Sequence, residues 1–378
     1  MKKPKIRFKG FTETWEQRKF NNLFVERRDK TKEENEDTLL SSAIDGMYLN
    51  SELFSHFRGS STIGYLKVKK NDLILSAQNL HLGNANVNLR FESGIISPAY
   101  KVFNLIDCEP NYVQAWVKKD STKNFFLSCT TEGASVCRKN IDWNALKNNL
   151  LFLPNLDEQK KIGTFFSKLD HLITLHQRKC ENLKKLKKFM LQKLFPQNGE
   201  NVPKVRFLNF TDTWEQRKLS DVVDSVDTGK SRFDKEGSSG EHPILGSTSV
   251  IGYDDEYDYE GDFILTARVG ANAGSLYRHA GKVKISDNTV FIQASQNIEF
   301  LYQLLIQFDI KKLSFGTGQP LVKASELKSL ELMMPTDMKE QMRIGVYFKN
   351  IDHLITLHQS KCDNLKELKK YMLKNMFI

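Results

Sequence analysis

The chain has 378 residues, 40% of them hydrophobic and 27% charged, a composition typical of a folded protein of two or three domains. No apolar run reaches the ~18 residues that a membrane span needs, and no apolar stretch follows the basic start as it would in a signal peptide. The five cysteines are an odd number without a CxxC pair, which suits a reducing compartment. We therefore expect a cytoplasmic protein that does not enter a membrane.

The net charge of +10 is distributed unevenly. Residues 1–19 carry a net charge of +5 and residues 157–195 one of +6, whereas residues 219–336 contain 11 basic and 17 acidic residues. Two uniformly basic domains are therefore excluded, and charge alone gives only weak support for nucleic-acid binding.

In chain order, the first recognisable feature is an entry segment that occurs twice. Residues 4–19 recur with small changes as residues 203–218, at an offset of 199. A tail also recurs, since 18 of the 22 positions from 170 to 191 are identical to those from 352 to 373. We interpret the chain as two copies of one unit, each with an entry segment, a variable body and a nearly invariant tail.

The two variable bodies are related more distantly. Residues 71–77 match residues 261–267, and each segment is a short apolar run that predicts a buried strand. Thr131-Glu-Gly133 and Thr317-Gly318 lie near the ends of the bodies, and the sequences between these landmarks diverge. The pattern predicts one scaffold with two different surfaces. The alternative, two equivalent domains that drifted apart, leaves the similarity of the tails unexplained.

Hydrogen-bonding side chains follow each predicted buried strand, beside glycines that allow close approach of a loop to a duplex. Asn, Gln and Arg can pair with adenine or guanine edges through two hydrogen bonds, each pair contributing ~1–3 kcal/mol of discrimination. The alternative is that these are solvated loops. The candidate DNA-binding residues are Gln78, Asn79, His81, Asn84, Asn86 and Arg90 in the first body, and Lys230, Arg232, Arg268, Asn272, Arg278 and His279 in the second.

Each tail is predicted to be a long helix that begins at an acidic turn, and the first ends before Pro196. Apolar residues follow a 4–3 spacing over four to five heptads, which indicates a coiled coil about 55–60 Å long. One helix alone would expose this seam, so we expect the two copies to pair. The seam positions are Ile162, Phe166, Leu169, Ile173, His176, Cys180 and Leu183, and Ile344, Phe348, Ile351, Ile355, His358, Cys362 and Leu365.

Two features of the tails allow more than one interpretation. The His176/Cys180 and His358/Cys362 pairs have i, i+4 spacing and could supply zinc ligands, but we interpret them as core positions that fix the register and predict no metal site. The outward lysines are either solvated or dock onto phosphate or an acidic subunit. They are Lys184, Lys185, Lys188, Lys366 and Lys370.

No catalytic motif is recognisable in the sequence. It contains no Asn/Asp-Pro-Pro-aromatic methyltransferase motif, no GxGxxG after a strand, no HExxH and no GxSxG. Residues 224–231 resemble the end of a phosphate-binding loop but lack its first glycine, so we interpret them as a turn. We therefore predict no catalytic residues.

A Pro-x-x-x-Glu-Gln-x-x-Ile-Gly motif spans residues 154–163 and recurs, with one extra residue, at 335–345. With the lysine-rich helix that follows it and the repetition of the whole unit, it resembles the specificity subunit of type I restriction–modification systems. Residues 261–270 and Thr317-Gly318 also look like the target-recognition domains of that family. The first body departs from the pattern, because Asn71 replaces the glycine and Gln78 stands at the match of Arg268.

The resemblance implies an α+β protein with a pseudo-twofold internal repeat. Two mixed α/β target-recognition domains, residues 1–152 and 196–336, would be separated by two conserved helices, residues 153–195 and 337–378, that pair as an antiparallel coiled coil. Such a subunit has no catalytic activity of its own. It reads a split, asymmetric sequence of double-stranded DNA, and its helices set the gap between the half-sites.

The resemblance also implies partners, namely two DNA adenine methyltransferase subunits and ATP-dependent restriction subunits. S-adenosylmethionine, ATP and magnesium would belong to those partners, and this chain would bind no cofactor itself. Two other classes of function stay open from the residues alone. They are a coiled-coil adaptor that displays two protein-binding modules and a self-contained DNA-modifying enzyme.

Overall fold

The structure is a computed structural model that describes residues 3–55, 61–135, 138–197, 199–232, 239–313 and 320–378, without the side chains of residues 132–138. Thr317-Gly318 therefore lies outside the described residues. The chain forms two compact units. Unit 1 consists of Met1–Gln177 and Ser360–Ile378, and unit 2 of Arg178–Gln359.

Unit 1 contains a mixed set of short strands and helices followed by the first long helix, part of which belongs to unit 2. In chain order the elements are β1 (Glu16–Lys19), α1 (Phe20–Leu23), β2 (Phe24–Arg27), β3 (Leu40–Ala43), β4 (Gly46–Leu49), α2 (Asn50–Leu53), β5 (Leu66–Lys69), β6 (Leu73–Ser76), β7 (Ala85–Val87), β8 (Ser93–Ile96), β9 (Tyr100–Leu105), α3 (Pro110–Val117), α4 (Asp120–Leu127), β10 (Thr130–Ser135), β11 (Arg138–Ile141), α5 (Trp143–Asn148), β12 (Leu150–Leu153) and α6 (Leu156–Leu194).

Unit 2 repeats this order with fewer and longer strands. Its elements are β13 (Glu215–Lys218), β14 (Ser225–Thr228), β15 (His242–Leu245), β16 (Val250–Asp254), β17 (Tyr259–Ala267), β18 (Leu276–Ile285), β19 (Thr289–Gln293), α7 (Ile298–Phe308), α8 (Ala324–Lys328), β20 (Glu331–Met334) and α9 (Met338–Asn375). The last part of α9 belongs to unit 1. The two long helices and the two buried strands, β6 and β17, are present as the sequence predicts.

The central sheet of each unit has the same arrangement at its middle. In unit 1 the order is β2-β9-β6-β7, and in unit 2 it is β14-β19-β17-β18-β15-β16. The pairings are antiparallel except that of β15 with β18, which is parallel. Because β9 and β19 each lie between two antiparallel neighbours, the strands on both sides end at the same sheet edge, where their following loops meet.

Both faces of each sheet are buried. One face packs with the helices, in clusters that include Phe103 and Phe166 in unit 1 and Ile292 and Phe348 in unit 2. The other face packs against further strands in two smaller clusters. Strands buried on both faces have continuous apolar sequences without alternation, as β6 and β17 do.

The match of residues 71–77 with residues 261–267 is displaced by one residue in the structure. The sequence match pairs Leu73 with Phe263, but Leu73 packs on the helix side of its sheet and Phe263 on the opposite side. Ile264 takes the position of Leu73 in the helix-side cluster of unit 2. Our comparison of the two bodies at an offset of 190 was therefore wrong by one position.

Each entry segment is joined to the start of a long helix by the same ion pair. Arg7 donates to both carboxylate oxygens of Glu158 at 2.6 and 2.7 Å, and Arg206 donates to both oxygens of Glu340 at 2.7 Å. The two glutamate side chains are at most 1% exposed. These hydrogen bonds raise the pKa of both arginines. Such bidentate pairs fix orientation as well as position.

The Glu-Gln-x-x-Ile-Gly motif completes this joint. Gln159 donates to the carbonyl of Pro154 at 2.9 Å, and Gln341 donates to that of Pro335 at 2.8 Å. Four residues further on, a glycine of each long helix lies against the start of a shorter helix. A Cβ on Gly163 would lie 2.7 Å from the backbone nitrogen of Tyr112, and Gly345 approaches α7 in the same way. In each unit the entry segment also forms a strand that pairs with the last strand of the body, β1 with β12 and β13 with β20. We call this strand pair, the ion pair and the glycine contact the frame.

Within each unit, the parts of α6 and α9 run antiparallel. In unit 1, Lys369 donates to Asp170 and the Phe166 ring lies 5.9 Å from that of Phe377. In unit 2, Lys187 donates to both oxygens of Asp352 at 2.7 and 2.9 Å. Lys187 and Lys369 continue the 4–3 spacing, four residues after Leu183 and Leu365. At both positions an aspartate of the facing helix accepts the hydrogen bonds of the lysine and so balances its charge.

Candidate nucleic-acid interface

In unit 2, four loops meet at the edge where β14 and β17 end. We call residues 228–232, 246–249, 268–275 and 286–288 the second loop cluster. Backbone hydrogen bonds connect them: Arg268 donates to Asn288, and Asp287 donates to the carbonyl of Ser231. The Ser247 hydroxyl also donates to the carbonyl of Asn288, at 3.0 Å. The loops therefore form one continuous surface.

Gly229 and Gly270 allow this close assembly. A Cβ on Gly229 would lie 2.3 Å from the carbonyl oxygens of Ile285 and Ser286, so no larger residue fits between the loops. Gly270 has φ +89° and donates to the carbonyl of Pro320 at 3.0 Å.

Four of the six predicted residues of the second body lie exposed on this cluster, namely Lys230, Arg232, Arg268 and Asn272. The three basic ones make no ion pair with any residue that the structure describes. Their donors are therefore available to a ligand. Two acidic residues lie nearby: Asp258, which accepts a hydrogen bond from the Ser231 hydroxyl at 2.5 Å, and Asp287 of the cluster itself. Thr248, Ser249 and Asn288 are also exposed here, and the sequence analysis missed them because only the fold brings their turns together.

The other two predicted residues of the second body face the protein. Arg278 is half-buried, lies over the Tyr302 ring at 4.3 Å and pairs with Glu299, with Asp352 4.0 Å away. Its guanidinium is thus committed to internal carboxylates, which corrects its assignment as a base-contacting residue. His279 is half-buried on β18, and burial lowers its pKa.

Unit 1 has an equivalent surface, the first loop cluster, made of residues 28–31, 43–46, 77–84 and 97–99. Ala77 donates to the carbonyl of Ala99 at 3.0 Å, which is the bond that Arg268 makes with Asn288 in unit 2. Ala77, and not Gln78, thus occupies the position of Arg268. Gln78 and Asn79 follow it and are exposed.

Asn84 and Asn86 are structural residues, which corrects their assignment as base-contacting candidates. Asn86 is fully buried and donates to the Ser42 hydroxyl and the Ala43 carbonyl, both at 2.7 Å. Asn84 is 7% exposed and exchanges hydrogen bonds with Ser42 at 3.0 and 3.2 Å. Neither amide can reach a base edge while it holds the β3–β4 turn.

Two further candidates of the first body are partly committed. Arg90 is exposed but donates twice to Glu52, at 2.6 and 2.9 Å. His81 is half-buried, and burial, with a smaller effect of Lys139, lowers its pKa. Lys30 is an exposed residue that the sequence analysis missed, and it follows β2 as Lys230 follows β14. No sequence signal marked it, because β2 itself was not predicted.

None of the 14 predicted seam residues is exposed. Ten are buried, and His176, Leu183, Ile355 and His358 are half-buried. Cys180 lies 3.7 Å from the amide oxygen of Gln359. Among the described residues, no three His, Cys, Asp or Glu side chains are grouped as metal ligands would be. In the described part of the chain, no helix combines the length and apolarity that crossing a membrane requires.

The chain matches the type I restriction modification DNA specificity domain over residues 1–185 and 211–367. It is 27% identical over 286 residues to the type I restriction enzyme MjaVIII specificity subunit of Methanocaldococcus jannaschii, and the alignment covers 66% of each chain, just under two thirds of that relative. It is 24% identical over 347 residues to the putative type I restriction enzyme MjaX specificity subunit of the same organism, covering 85% of this chain and 76% of the relative.

The fold matches the crystal structure of the S subunit of a type I restriction–modification system from M. genitalium, with a TM-score of 0.69 at 15% identity, over 100% of this chain and 99% of that one. At that identity the likeness concerns the fold alone. The sequence match carries the assignment, because its two segments make up most of the chain. This protein therefore belongs to the type I restriction–modification DNA specificity family.

Proposed function

We propose that this chain selects the DNA sequence on which a type I restriction–modification complex acts. Specificity subunits of these systems are non-catalytic. The two target-recognition domains, residues 1–152 and 196–336, each read one half of a bipartite site in double-stranded DNA. The first loop cluster contacts one half-site and the second loop cluster the other.

The observation that carries this proposal is a contrast within the repeat. The frame recurs with the same arginine, glutamate and glycine, whereas the exposed side chains at the equivalent sheet edges differ. Gln78 and Asn79 in unit 1, and Arg268 and Asn272 in unit 2, have the amide and guanidinium groups that pair with base edges. Two unlike surfaces on one scaffold are suited to two unlike half-sites.

We further propose that α6 and α9 pair over their whole length as an antiparallel coiled coil that fixes the gap between the half-sites. The antiparallel contacts within each unit support this arrangement. These helices would dock two adenine methyltransferase subunits, and restriction subunits would join that core. S-adenosylmethionine, ATP and magnesium would be bound by those partners.

The test is to co-express the chain with its methyltransferase subunits and to map the methylated adenines in the host genome. We expect one bipartite motif. Replacing residues 20–152 with those of another family member should change one half-site and leave the other and the gap unaltered. Adding one helical turn to both long helices should change only the gap. A swap that alters both half-sites would contradict independent reading, and an unmethylated genome would contradict the function itself.

A further inference from the structure

A groove of about 1010 Å³ lies in unit 1 between the segment that joins α3 to α4 and the last turns of α9. The α3–α4 segment contributes Lys118 and Lys119, and the first turn of α4 contributes Lys123. Helix α9 contributes Lys366, Lys369, Lys370 and Lys374. Asp120 and Asp170 are the acidic residues that line it. We call it the lysine groove, and its seven lysines against two aspartates make it strongly positive.

Some of these lysines are held by the protein itself. Lys118 donates to the carbonyls of Ile44 and Ala85 and to the amide oxygen of Asn86, at 2.6 to 2.8 Å. Lys369 pairs with Asp170. Burial, reinforced by the charge of Lys369, lowers the pKa of Lys118 to about 8. Lys123 pairs with Asp120, and Lys119 donates to the carbonyl of Ile378. The positive charge that the groove leaves unbalanced therefore comes from the other lysines of α9.

The remaining lysines of α9 are uncommitted. Lys366, Lys370 and Lys374 are exposed and make no ion pair within the described part of the chain. Their spacing of four residues puts them on one face of the helix, in a row about 12 Å long. Each strand of B-DNA carries a phosphate per ~3.4 Å of axis, so such a row spans about three to four phosphates.

The groove is continuous with the first loop cluster. Through its bond to Ile44, Lys118 holds the β3–β4 turn of that cluster. A Cβ on Gly83 would lie 3.0 Å from Cε of Lys123, so Lys123 supports the loop that carries Gln78 and Asn79. DNA whose bases meet this loop would therefore bring its backbone to the groove.

Unit 2 lacks the residues that would build the same groove. Counted from the glycine contacts of the frame, Ile306 and Gln307 occupy the positions of Lys118 and Lys119. On the long helices, Gln192 occupies the position of Lys374. Lys184 and Lys188 occupy the positions of Lys366 and Lys370, so two lysines of the row recur on α6. The third lysine of the row, and the lysines of the α3–α4 segment, belong to unit 1 alone.

We propose that the lysine groove binds the phosphate backbone of DNA beside the half-site read by the first loop cluster. This inference rests on the proposed function and adds an asymmetry to it. Phosphate contacts carry no sequence information, so the groove strengthens binding at every sequence while the loops choose among them. Sequence-independent contacts would therefore contribute more to binding at the half-site of unit 1 than at the half-site of unit 2.

The test compares two variants in the complex with methyltransferase subunits, K366Q/K370Q/K374Q and the matched control K184Q/K188Q on α6. Binding to a cognate and a scrambled duplex is measured by fluorescence anisotropy over a salt series. We expect the triple variant to reduce the slope of log K against log salt by about 2–3, since each phosphate contact contributes ~0.9. Affinity for both duplexes should fall by the same factor, with the methylated motif unchanged.

Three results would overturn the groove proposal while leaving the proposed function intact. The slope of the triple variant could equal that of the wild type, or the control could lower it as much. The triple variant could also fail to co-purify with the methyltransferase, which would assign these lysines to an acidic protein partner. Restoration of the slope by K366R/K370R/K374R supports a contact through charge. A wild-type complex that prefers no duplex would instead contradict the proposed function.

Discussion

The frames of units 1 and 2 consist of the same residue types with the same contacts, whereas the loop clusters of the two units have different side chains. Entry strand β1 pairs with β12 as β13 pairs with β20, and the two arginine–glutamate pairs have the same burial. At the sheet edges, an alanine in unit 1 makes the backbone bond that an arginine makes in unit 2. Residues that hold the fold are thus separate from the exposed residues of the loop clusters, so we expect a substitution to affect stability or recognition, but seldom both.

The largest effect is expected from breaking the frame. We expect Arg7→Ala and Arg206→Ala each to reduce the free energy of unfolding by about 3–5 kcal/mol, because each leaves a buried carboxylate unpaired. Chemical denaturation of the two variants should give values within about 1 kcal/mol of one another if the frames are equivalent. Arg18→Ala removes a pair whose side chains are 43% and 70% exposed and serves as the control, with a change below about 0.5 kcal/mol.

Recognition should respond to the loops instead. In the complex with methyltransferase subunits, we expect Arg268→Ala to weaken binding to the cognate duplex by about 10–100-fold, the effect of one lost bidentate base contact. Competition with duplexes altered one base pair at a time should show relaxed preference in one half-site only. Arg278→Ala, which removes an internally paired arginine, should leave base preference unaltered. Relaxation by the Arg278 variant alone would mean that the interface is assigned to the wrong side chains.

The units should also differ in their response to alkali. The pKa of Lys118 in the folded protein, about 8, lies below its ordinary value of 10.5, so the unfolded chain binds more protons between these values. The free energy of unfolding therefore rises with pH between about 8 and 10.5. Below pH 8 the destabilisation from burying the charged lysine is fully present. Lys118→Ile, which introduces the residue that unit 2 has there, should reduce this rise by about 3 kcal/mol in urea titrations at several pH values. An unchanged slope would show that Lys118 is not desolvated.

The smallest difference concerns residues 170–177 and 352–359, which are identical in sequence. Asp352 is 24% exposed and also accepts a hydrogen bond from Gln303 at 3.1 Å, whereas Asp170 is 48% exposed. We expect Asp352→Asn to reduce the free energy of unfolding by about 1 kcal/mol more than Asp170→Asn. Thermal unfolding of the two variants gives this comparison directly. If both variants lose the same stability, the different surroundings of Asp170 and Asp352 do not alter the strength of the two lysine–aspartate pairs.

The long helices could be predicted because their seam repeats over many turns and the tails recur almost unchanged. Which residues of each buried strand face the helices could not be predicted. Leu73-Ile-Leu75 is apolar at every position, and a segment buried on both sides has no alternation to show which residue faces the helices. The register error of one residue in our comparison of the bodies follows from this.

Burial of the polar candidates was equally inaccessible to sequence reasoning. Asn84 and Asn86 have the same side chain as the exposed Asn79 and Asn272, and they differ only in their surroundings. Their partner, Ser42, lies more than 40 residues away in the chain, so only the fold brings it near. In contrast, the motif at the start of each tail was recognised as a signature of the family, and the structure supplies its physical role as a joint.

That joint leaves no space for a single carbon atom where Gly163 and Gly345 touch the shorter helices. The backbone nitrogens of Tyr112 and Phe300 lie within 3 Å of where a Cβ would be, so each long helix lies directly against the first turn of the shorter helix. Loops at the sheet edge can therefore change in sequence while the orientation of the sheet relative to the long helix stays the same. An alanine at either glycine would push the long helix away from the shorter helix. The orientation of the loop cluster relative to the long helix would then change, although no residue of the loop cluster is substituted.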